Sequence, residues 1–339
     1  MLFRSPDGFK LSDEAEGEIE ALTGRDDLPR PTGAGLGRLE SDPGAEEEYV
    51  AAVAATVPEG LAGLRVVLDC AHGAAFRVAP QLFQALGARV TVLNDRPDGL
   101  NINAGCGALH PEALQEAVKR DGADAGLAFD GDADRVIAVD ERGQVVDGDQ
   151  ILAVAALHLG RAGRLPGSAV VATVMSNLGL ERALEAAGIR LVRTRVGDRY
   201  VLEAMRQGGY ALGGEQSGHV IFLEHATTGD GLVAGAQLLR IMRETGRRLS
   251  ELAAVMVRYP QVLVNVELPG RDVADRLAAS RAVGEAVARA EKALAGRGRV
   301  LVRASGTEPV VRVMVEGEDA ARVEVLARDL AAVIRRELG

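Results

Sequence analysis

Cysteine is almost absent from this chain: Cys70 and Cys106 are the only two. Two thiols make neither a disulfide framework nor a zinc-ligand spacing, so both staples are excluded and a reduced, cytoplasmic setting is expected. Cys70 ends an apolar stretch and reads as a small buried hydrophobe. No apolar run reaches membrane-spanning length and the N-terminus has no signal-peptide pattern, so no membrane partner is expected. Lysine is scarce too, with Lys10, Lys119 and Lys292 against 36 arginines, a bias that genome composition alone can explain. Positive charge is in deficit overall: the net charge is −10, which argues against general nucleic-acid binding. It leaves room for a small anionic substrate, because local arginine clusters can override the global field.

What is present is ordinary in bulk: 339 residues, 47% hydrophobic and 26% charged, enough for two or three domains with cores of their own. The exceptional stretch is 126–140, where Asp130, Asp132 and Asp134 alternate with Gly131 and Ala133 between β-prone flanks. It reads as a turn between two strands. Three like charges in five residues repel one another and raise one another's pKa. A hard divalent cation relieves that conflict, and alternating oxygen ligands suit Mg²⁺ or Ca²⁺. A solvated acidic turn is the plain alternative. Counting twelve positions from Asp130 to Glu141 imitates an EF-hand, but that loop needs glycine at its sixth position and flanking helices. The sixth position here is Arg135 and the flanks are strands, so Mg²⁺ is the better expectation.

Along the chain, residues 1–45 look incomplete: a short strand-like start, a helix capped by Ser12 and running to about Leu22, then a Gly/Pro-rich linker. Such a piece must pack on something else. Residues 46–165 read as an α/β domain, with strands Arg65–Asp69, Arg89–Leu93 and Ala125–Phe129 alternating with helices Phe76–Leu86 and Pro111–Arg120. Residues 166–258 repeat that plan, with strands Ala169–Val174 and Ile189–Thr194, helices Asn177–Ala187 and Asp198–Gln207, and a long helix Gly229–Thr245. Residues 259–339 predict a small α+β domain: strand Val262–Leu268, helix-prone sequence from Val273 to Leu294, strands Arg299–Arg303 and Val310–Glu316, and a terminal helix Ala320–Leu338. The fold class is therefore α/β, with tandem domains on mixed, largely parallel sheets and a C-terminal α+β domain.

Ligands of such sheets collect at the carboxyl ends of strands, where the Asp loop sits. Asp69-Cys-Ala-His-Gly73 lies at another such end, and its His72 reads as a turn-stabilising residue. A second loop, Thr194-Arg-Val-Gly-Asp-Arg-Tyr200, offers Asp198 either as a helix cap or as a substrate contact. Arg195 and Arg199 there add positive charge beside a helix N-terminus. In a third loop, Gly213–His219, glycines bring backbone close to a ligand while Glu215 and Ser217 supply an acceptor and a donor for sugar hydroxyls. His219 beside them suits proton transfer or a phosphate contact. A fourth loop holds Arg303, Ser305, Gly306, Thr307 and Arg312, two guanidinium forks with hydroxyls and turn N–H groups that together suit a phosphate. The plain alternative is a hairpin turn with surface charges. A divalent metal, a sugar-reading loop and a phosphate clamp point to phosphosugar chemistry.

These stretches carry a resemblance that runs through nearly the whole chain. Asp130-Gly-Asp-Ala-Asp-Arg135, Gly214-Glu-Gln-Ser-Gly-His219 and Arg303-Ala-Ser-Gly-Thr-Glu-Pro309 resemble the metal, sugar and phosphate loops of the α-D-phosphohexomutase superfamily. Asn101-Ile-Asn-Ala104, Val145-Val-Asp-Gly-Asp-Gln150 and Val196-Gly-Asp-Arg-Tyr-Val201 are most similar to its bacterial phosphoglucosamine mutase branch. The resemblance implies interconversion of glucosamine 6-phosphate and glucosamine 1-phosphate, on the way to UDP-N-acetylglucosamine, through an enzyme phosphoserine and a glucosamine 1,6-bisphosphate intermediate. It implies Mg²⁺ on Asp130, Asp132 and Asp134, with Arg135 and His219 as catalytic residues. Asp198, Arg199, Glu215 and Ser217 are the expected substrate contacts, and Arg303, Ser305, Gly306, Thr307 and Arg312 the phosphate contacts. Phosphomannose or phosphoglucose as substrate, or a non-catalytic phosphosugar-binding remnant, remain alternatives, and a homodimer stays open. The family's Ser-His-Asn-Pro phosphoserine motif occurs nowhere in these residues. Residues 1–45 are therefore expected to be the tail of a first domain plus a linker, and the 339 residues alone to be inactive.

Overall fold

The structure, a computed structural model, describes residues 5–270, 272–305 and 308–339. The chain divides into two compact units, one formed by residues up to Met175 with Ile189–Ala254, the other by Ser176–Gly188 with Val255–Gly339.

The first unit begins with α1 (Asp13–Thr23), whose N-cap Ser12 accepts from Ala15 N–H as expected. The stretch to residue 44 carries only one short 3₁₀ turn, and α2 (Ala45–Ala54), an alanine-rich helix with Glu46, Glu47 and Glu48 in its first turn, follows. Next come β1 (Arg65–Asp69), α3 (Ala75–Ala85), β2 (Arg89–Leu93), α4 (Glu112–Asp121), β3 (Ala125–Phe129), β4 (Val136–Asp140) and β5 (Val145–Val146). They form one sheet in the order β2-β1-β3-β4-β5. Its β1 pairs parallel with β2 and β3, whereas β3–β4 and β4–β5 are antiparallel. Every residue of β3 and β4 is buried, and all but Asp140 at the end of β4 are apolar. On one face Val67, Ala128 and Val139 pack with Leu114, Ala117 and Val118 of α4.

The chain continues through α5 (Gly148–Arg161), entered by a capping box between Asp147 and Gln150, into β6 (Ala169–Thr173). Here α6 (Leu178–Ala186) leaves for the second unit. The first unit resumes with β7 (Arg190–Thr194), α7 (Asp198–Gly208), β8 (Leu212–Gly214), β9 (Val220–Phe222), α8 (Gly231–Thr245) and α9 (Leu249–Ala253). Its second sheet runs β7-β6-β8-β9, parallel except for the last pair. The N-terminal segment packs here. Phe9 joins the cluster of Val171, Val201, Met205 and Ile221, and Arg206 stacks over its ring at 3.9 Å. The segment around Phe9 thus has a partner surface in this unit.

In the second unit α6 is anchored by Asn177. Its side chain accepts from Gly179 and Tyr259 N–H, both at 2.9 Å, and donates to Tyr259 O at 3.0 Å. The unit's sheet joins β10 (Gln261–Glu267), β11 (Gly298–Ala304) and β12 (Val310–Gly317), all antiparallel in the order β10-β12-β11. Helices α11 (Arg281–Leu294) and α12 (Ala320–Leu338) pack on it around Val311, Val313, Val315, Leu330 and Ile334. The helix-prone run Val273–Leu294 is broken: α10 (Val273–Ala279) stops at Ser280, whose extended backbone and side chain cap α11 at Val283 N–H. A serine that caps a new helix satisfies an otherwise orphaned N–H, and that outweighs continuous propensity. Among the described residues no helix is long and apolar enough to cross a membrane.

Candidate active site

The Asp loop is the turn of the β3–β4 hairpin, and its geometry is tight. Asp130 Oδ1 accepts from Arg135 N–H at 3.1 Å, and Asp130 O accepts from Ala133 N–H at 3.1 Å. Ala133 sits at φ +63°, a left-handed conformation that an alanine adopts only under constraint. The constraint is visible: Ala133 O accepts from Gly231 N–H at 2.9 Å, at the start of α8. A Cβ on Gly231 would meet Arg135 O at 2.5 Å, so only glycine lets α8 come this close. From below, Gly131 O accepts from Ala74 N–H at 2.8 Å. His72 plays the turn-stabilising part: its Nδ1 accepts from Arg96 N–H at 3.2 Å. Asp69 is fully buried and accepts from Ala71 and Gly107 N–H, both at 3.0 Å, which makes it a brace of the same turn.

Asp130, Asp132 and Asp134 each offer an oxygen within 4.8 Å of the others. Burial pushes the Asp130 carboxyl up to about 7, and the Asp134 and Asp132 charges add to it. Asp134 Oδ1 is buried without a hydrogen-bond partner among the described residues, although Arg135 Nε lies 3.7 Å away. Crowded carboxylates with unused lone pairs are what a hard cation relieves, so this donor set fits Mg²⁺.

The Gly213–His219 loop docks directly on the Asp loop. Val136 N–H donates to Gly218 O at 3.1 Å, and Gly148 N–H, at the start of α5, donates to Gln216 O at 3.0 Å. Gly218, at φ +96°, has Val136 O pressed against the space a Cβ would need. Glu215 accepts from Gly197 N–H at 3.1 Å, and Ser217 Oγ lies 3.4 Å from Glu215 Oε2. His219 is 2% exposed, and neither ring nitrogen has a hydrogen-bond partner among the described residues. Its Nε2 lies 3.7 Å from Asp134 Oδ2 and 3.8 Å from Asp198 Oδ2. Burial lowers the His219 pKa, against the pull of both carboxylates, so the imidazole is neutral at pH 7.

Asp198 does not cap α7. Gly197 occupies that position at φ +131°, and the Asp198 carboxylate pairs with Lys10 instead. Burial works against its ionisation, but the Lys10 ammonium outweighs it and the carboxyl stays below its ordinary range. Nothing in the sequence marks Lys10 for this place; only the docking of the N-terminal segment brings it here. Arg199 points the other way, donating to Leu11 O at 2.8 Å and pairing with Glu16 at 2.9 Å. Thus Asp130, Asp132, Asp134, Arg135, Asp198, Glu215, Ser217 and His219 gather in one unit, while Arg199 is engaged by the segment around α1.

In the second unit Arg303 and Arg312 are paired residues of β11 and β12, directly across from each other. Like charges in that position cost stability unless an anion joins them. Burial lowers the Arg303 pKa, and the Arg312 charge adds to it. The Nε atoms of both are buried without a partner among the described residues, while Arg312 also reaches Glu308 at 3.0 Å. Ser305 N–H closes the turn onto Val310 O at 2.8 Å. Gly306 and Thr307 lie outside the described residues.

Comparison with known proteins follows this geometry domain by domain. Residues 47–143, 147–259 and 263–333 match the family models for phosphoglucomutase/phosphomannomutase alpha/beta/alpha domain II, alpha/beta/alpha domain III and C-terminal domain. The chain belongs to the phosphoglucomutase/phosphomannomutase family. It is 59% identical over 333 residues to the phosphoglucosamine mutase of Moorella thermoacetica, covering 98% of this chain and 74% of that one. It is 57% identical over 338 residues to that of Symbiobacterium thermophilum, covering 99% and 75%. Among solved structures, a family protein from Burkholderia thailandensis is 26% identical with a TM-score of 0.71, covering 86% of this chain and 64% of that chain. The Aspergillus fumigatus N-acetylphosphoglucosamine mutase, in complex with GlcNAc-6P and magnesium, shares the fold at 23% identity and a TM-score of 0.73, covering 89% and 68%.

Proposed function

We propose that this chain carries the metal, sugar and phosphate sites of a mutase interconverting glucosamine 6-phosphate and glucosamine 1-phosphate. The observation that supports it most is the docking of the sugar-reading loop on the Asp loop, by hydrogen bonds from Val136 to Gly218 and from Gly148 to Gln216. That contact puts sugar-binding and phosphoryl-handling residues within reach of one substrate. The identity to two phosphoglucosamine mutases narrows the sugar. Glu215 and Ser217 hold the sugar hydroxyls. Arg135, 43% exposed and beside the acidic cluster, meets the phosphoryl oxygens as charge develops. His219, neutral and buried between two carboxylates, takes the proton from the attacking hydroxyl and is held as a cation by Asp134 and Asp198. Arg303, Ser305 and Arg312, with Gly306 and Thr307, grip the non-reacting phosphate.

Asp130, Asp132 and Asp134 would hold Mg²⁺, whose charge, when bound, draws electron density from the phosphoryl oxygens. Phosphoryl exchange in the family passes through an enzyme phosphoserine and a sugar 1,6-bisphosphate, and we assign glucosamine 1,6-bisphosphate that part here. A panel of glucosamine, glucose and mannose 6-phosphates, titrated onto the chain, tests the assignment. Tighter binding of glucose or mannose phosphate would overturn the amino-sugar reading in favour of a phosphoglucomutase or phosphomannomutase.

The metal assignment has a pH signature. Asp130 is raised from 3.8 to about 7 in the metal-free fold, so its contribution to stability is full below pH 4 and lost as pH rises through 7. A cation displaces that proton and removes the repulsion. Saturating Mg²⁺ is therefore expected to raise the melting temperature more at pH 8 than at pH 5.5. Equal increments at both pH values would count against the Asp130 cluster as the site.

The phosphate clamp is testable separately. Arg303→Ala is expected to weaken glucosamine 6-phosphate binding by about 1.5–3 kcal/mol, the range of a charge-assisted hydrogen bond. Calorimetric titration reads it, and an unchanged Kd would reduce the loop to a turn.

A further inference from the structure

The hairpin that carries the Asp loop has a second end. β3 spans five residues, from Ala125 to Phe129 next to the loop, a distance of roughly 13 Å at strand rise. At that far end lies a cleft of about 410 Å³, lined by Arg65, Arg243, Arg247, Arg248, Asp124 and Glu141 over a floor that includes Met242. All of these belong to the first unit. A chain of net charge −10 thus concentrates four guanidiniums around one opening, with two carboxylates at its edge.

The cations are not used equally. Arg65 pairs with Asp124 at 3.5 Å, and Arg247 donates to Glu251 O at 2.8 Å. Arg243 and Arg248 are exposed and have no ion pair or side-chain hydrogen bond among the described residues. The dipole of α8 explains Arg243, which sits in its last turn before the left-handed cap Gly246. It does not explain Arg248, which precedes α9 and so places a cation where the helix dipole disfavours one. Glu141 is fixed by Ser250, which donates from Oγ at 2.5 Å and from N–H at 3.2 Å, leaving further lone pairs on the carboxylate.

We propose that this cleft is a second ligand site, remote from the Asp loop, that takes a small organic phosphate. Arg243 and Arg248 bind the phosphate, and Asp124 and Glu141 accept from hydroxyl groups of the organic part. The volume supports an organic ligand over a bare ion, since it falls in the range of small-molecule sites. β3 and β4, buried along their whole length, run from this site to the Asp loop.

The test uses the full chain bearing Arg303→Ala and Arg312→Ala, which disable the phosphate clamp, in metal-free buffer. Ribose 5-phosphate and inorganic phosphate are the probes, titrated by calorimetry at constant ionic strength. Saturable binding of ribose 5-phosphate is expected, weakened about tenfold or more by adding Arg243→Ala and Arg248→Ala. Should those variants fail to fold, Arg243→Gln with Arg248→Gln carries the same comparison. An unchanged Kd, an absence of saturable binding before the cleft is altered, or equal affinity for inorganic phosphate would each overturn the proposal.

Discussion

Incubated with glucosamine 6-phosphate, Mg²⁺ and a trace of the 1,6-bisphosphate, the 339 residues on their own are expected to form no glucosamine 1-phosphate above a protein-free control. The 6- and 1-oxygens belong to one sugar, and moving a phosphoryl group between them needs a carrier on the enzyme. The family's carrier is a phosphoserine in a Ser-His-Asn-Pro motif, and these residues contain none. Ser5, Ser12 and Ser41 lie outside any such motif; Ser5 Oγ bonds to Asp7 and Phe9, and Ser12 caps α1. Loss of a covalent nucleophile removes most of the rate, about 10⁶-fold where it has been measured in a serine enzyme. Binding is expected to survive, because Glu215, Ser217, Arg303 and Arg312 are all present. Preceding the same residues with a family first domain that carries the motif should bring turnover back. Robust turnover by the 339 residues, in material free of host mutase, would instead require a different phosphoryl carrier, with Ser5 and His72 the first residues to change.

Gly148→Val is expected to be the most damaging single substitution at the site. A Cβ at Gly148 would press on Glu215 O and lie 2.7 Å from Gly218 N and 2.9 Å from Gln216 O. All three are backbone atoms of the sugar-reading loop, so no rotamer change relieves the overlap. The loop must move, and with it go the Gly148–Gln216 hydrogen bond and the Val136–Gly218 bond to the Asp loop. Overpacking costs about 1–3 kcal/mol, and each lost buried bond adds about 1–3 kcal/mol. Urea unfolding should show a lower midpoint at unchanged slope, and glucosamine 6-phosphate binding should weaken beyond what stability explains. Gly284→Ala is the control. That helical position has open space around it, and alanine there should gain up to about 1 kcal/mol from helix propensity. A Gly148→Val midpoint equal to that of the parent would show that the two loops are not rigidly docked.

Chemistry that lies within one short stretch is legible in the amino-acid sequence alone. Asp130, Asp132 and Asp134 alternate across one turn, and apolar runs flank them, so the hairpin and its crowded carboxylates follow from local spacing. Arg303 and Arg312 bracket their turn in the same way, and strand pairing then sets them opposite each other. Ser12 announces its helix because a cap acts three residues away. Ser280 carries the same signal inside a run whose propensity masks it.

Contacts between distant stretches are another matter. That Asp198 leaves its helix cap for Lys10, that Arg199 turns to Leu11 and Glu16, and that His219 sits between Asp134 and Asp198 all come from the packing of segments far apart in the chain. A carboxylate beside a glycine can cap a helix or pair with a cation equally well, and local propensity differs by less than the energy of one such contact. Gly148, Gly218 and Gly231 show the same limit. Each reads as an ordinary turn or helix-start glycine until the backbone pressed against it is known. Residue types and short-range spacing thus determined which chemistry this protein carries; close packing, which tolerates no extra atom at those three glycines, decided which of its residues meet.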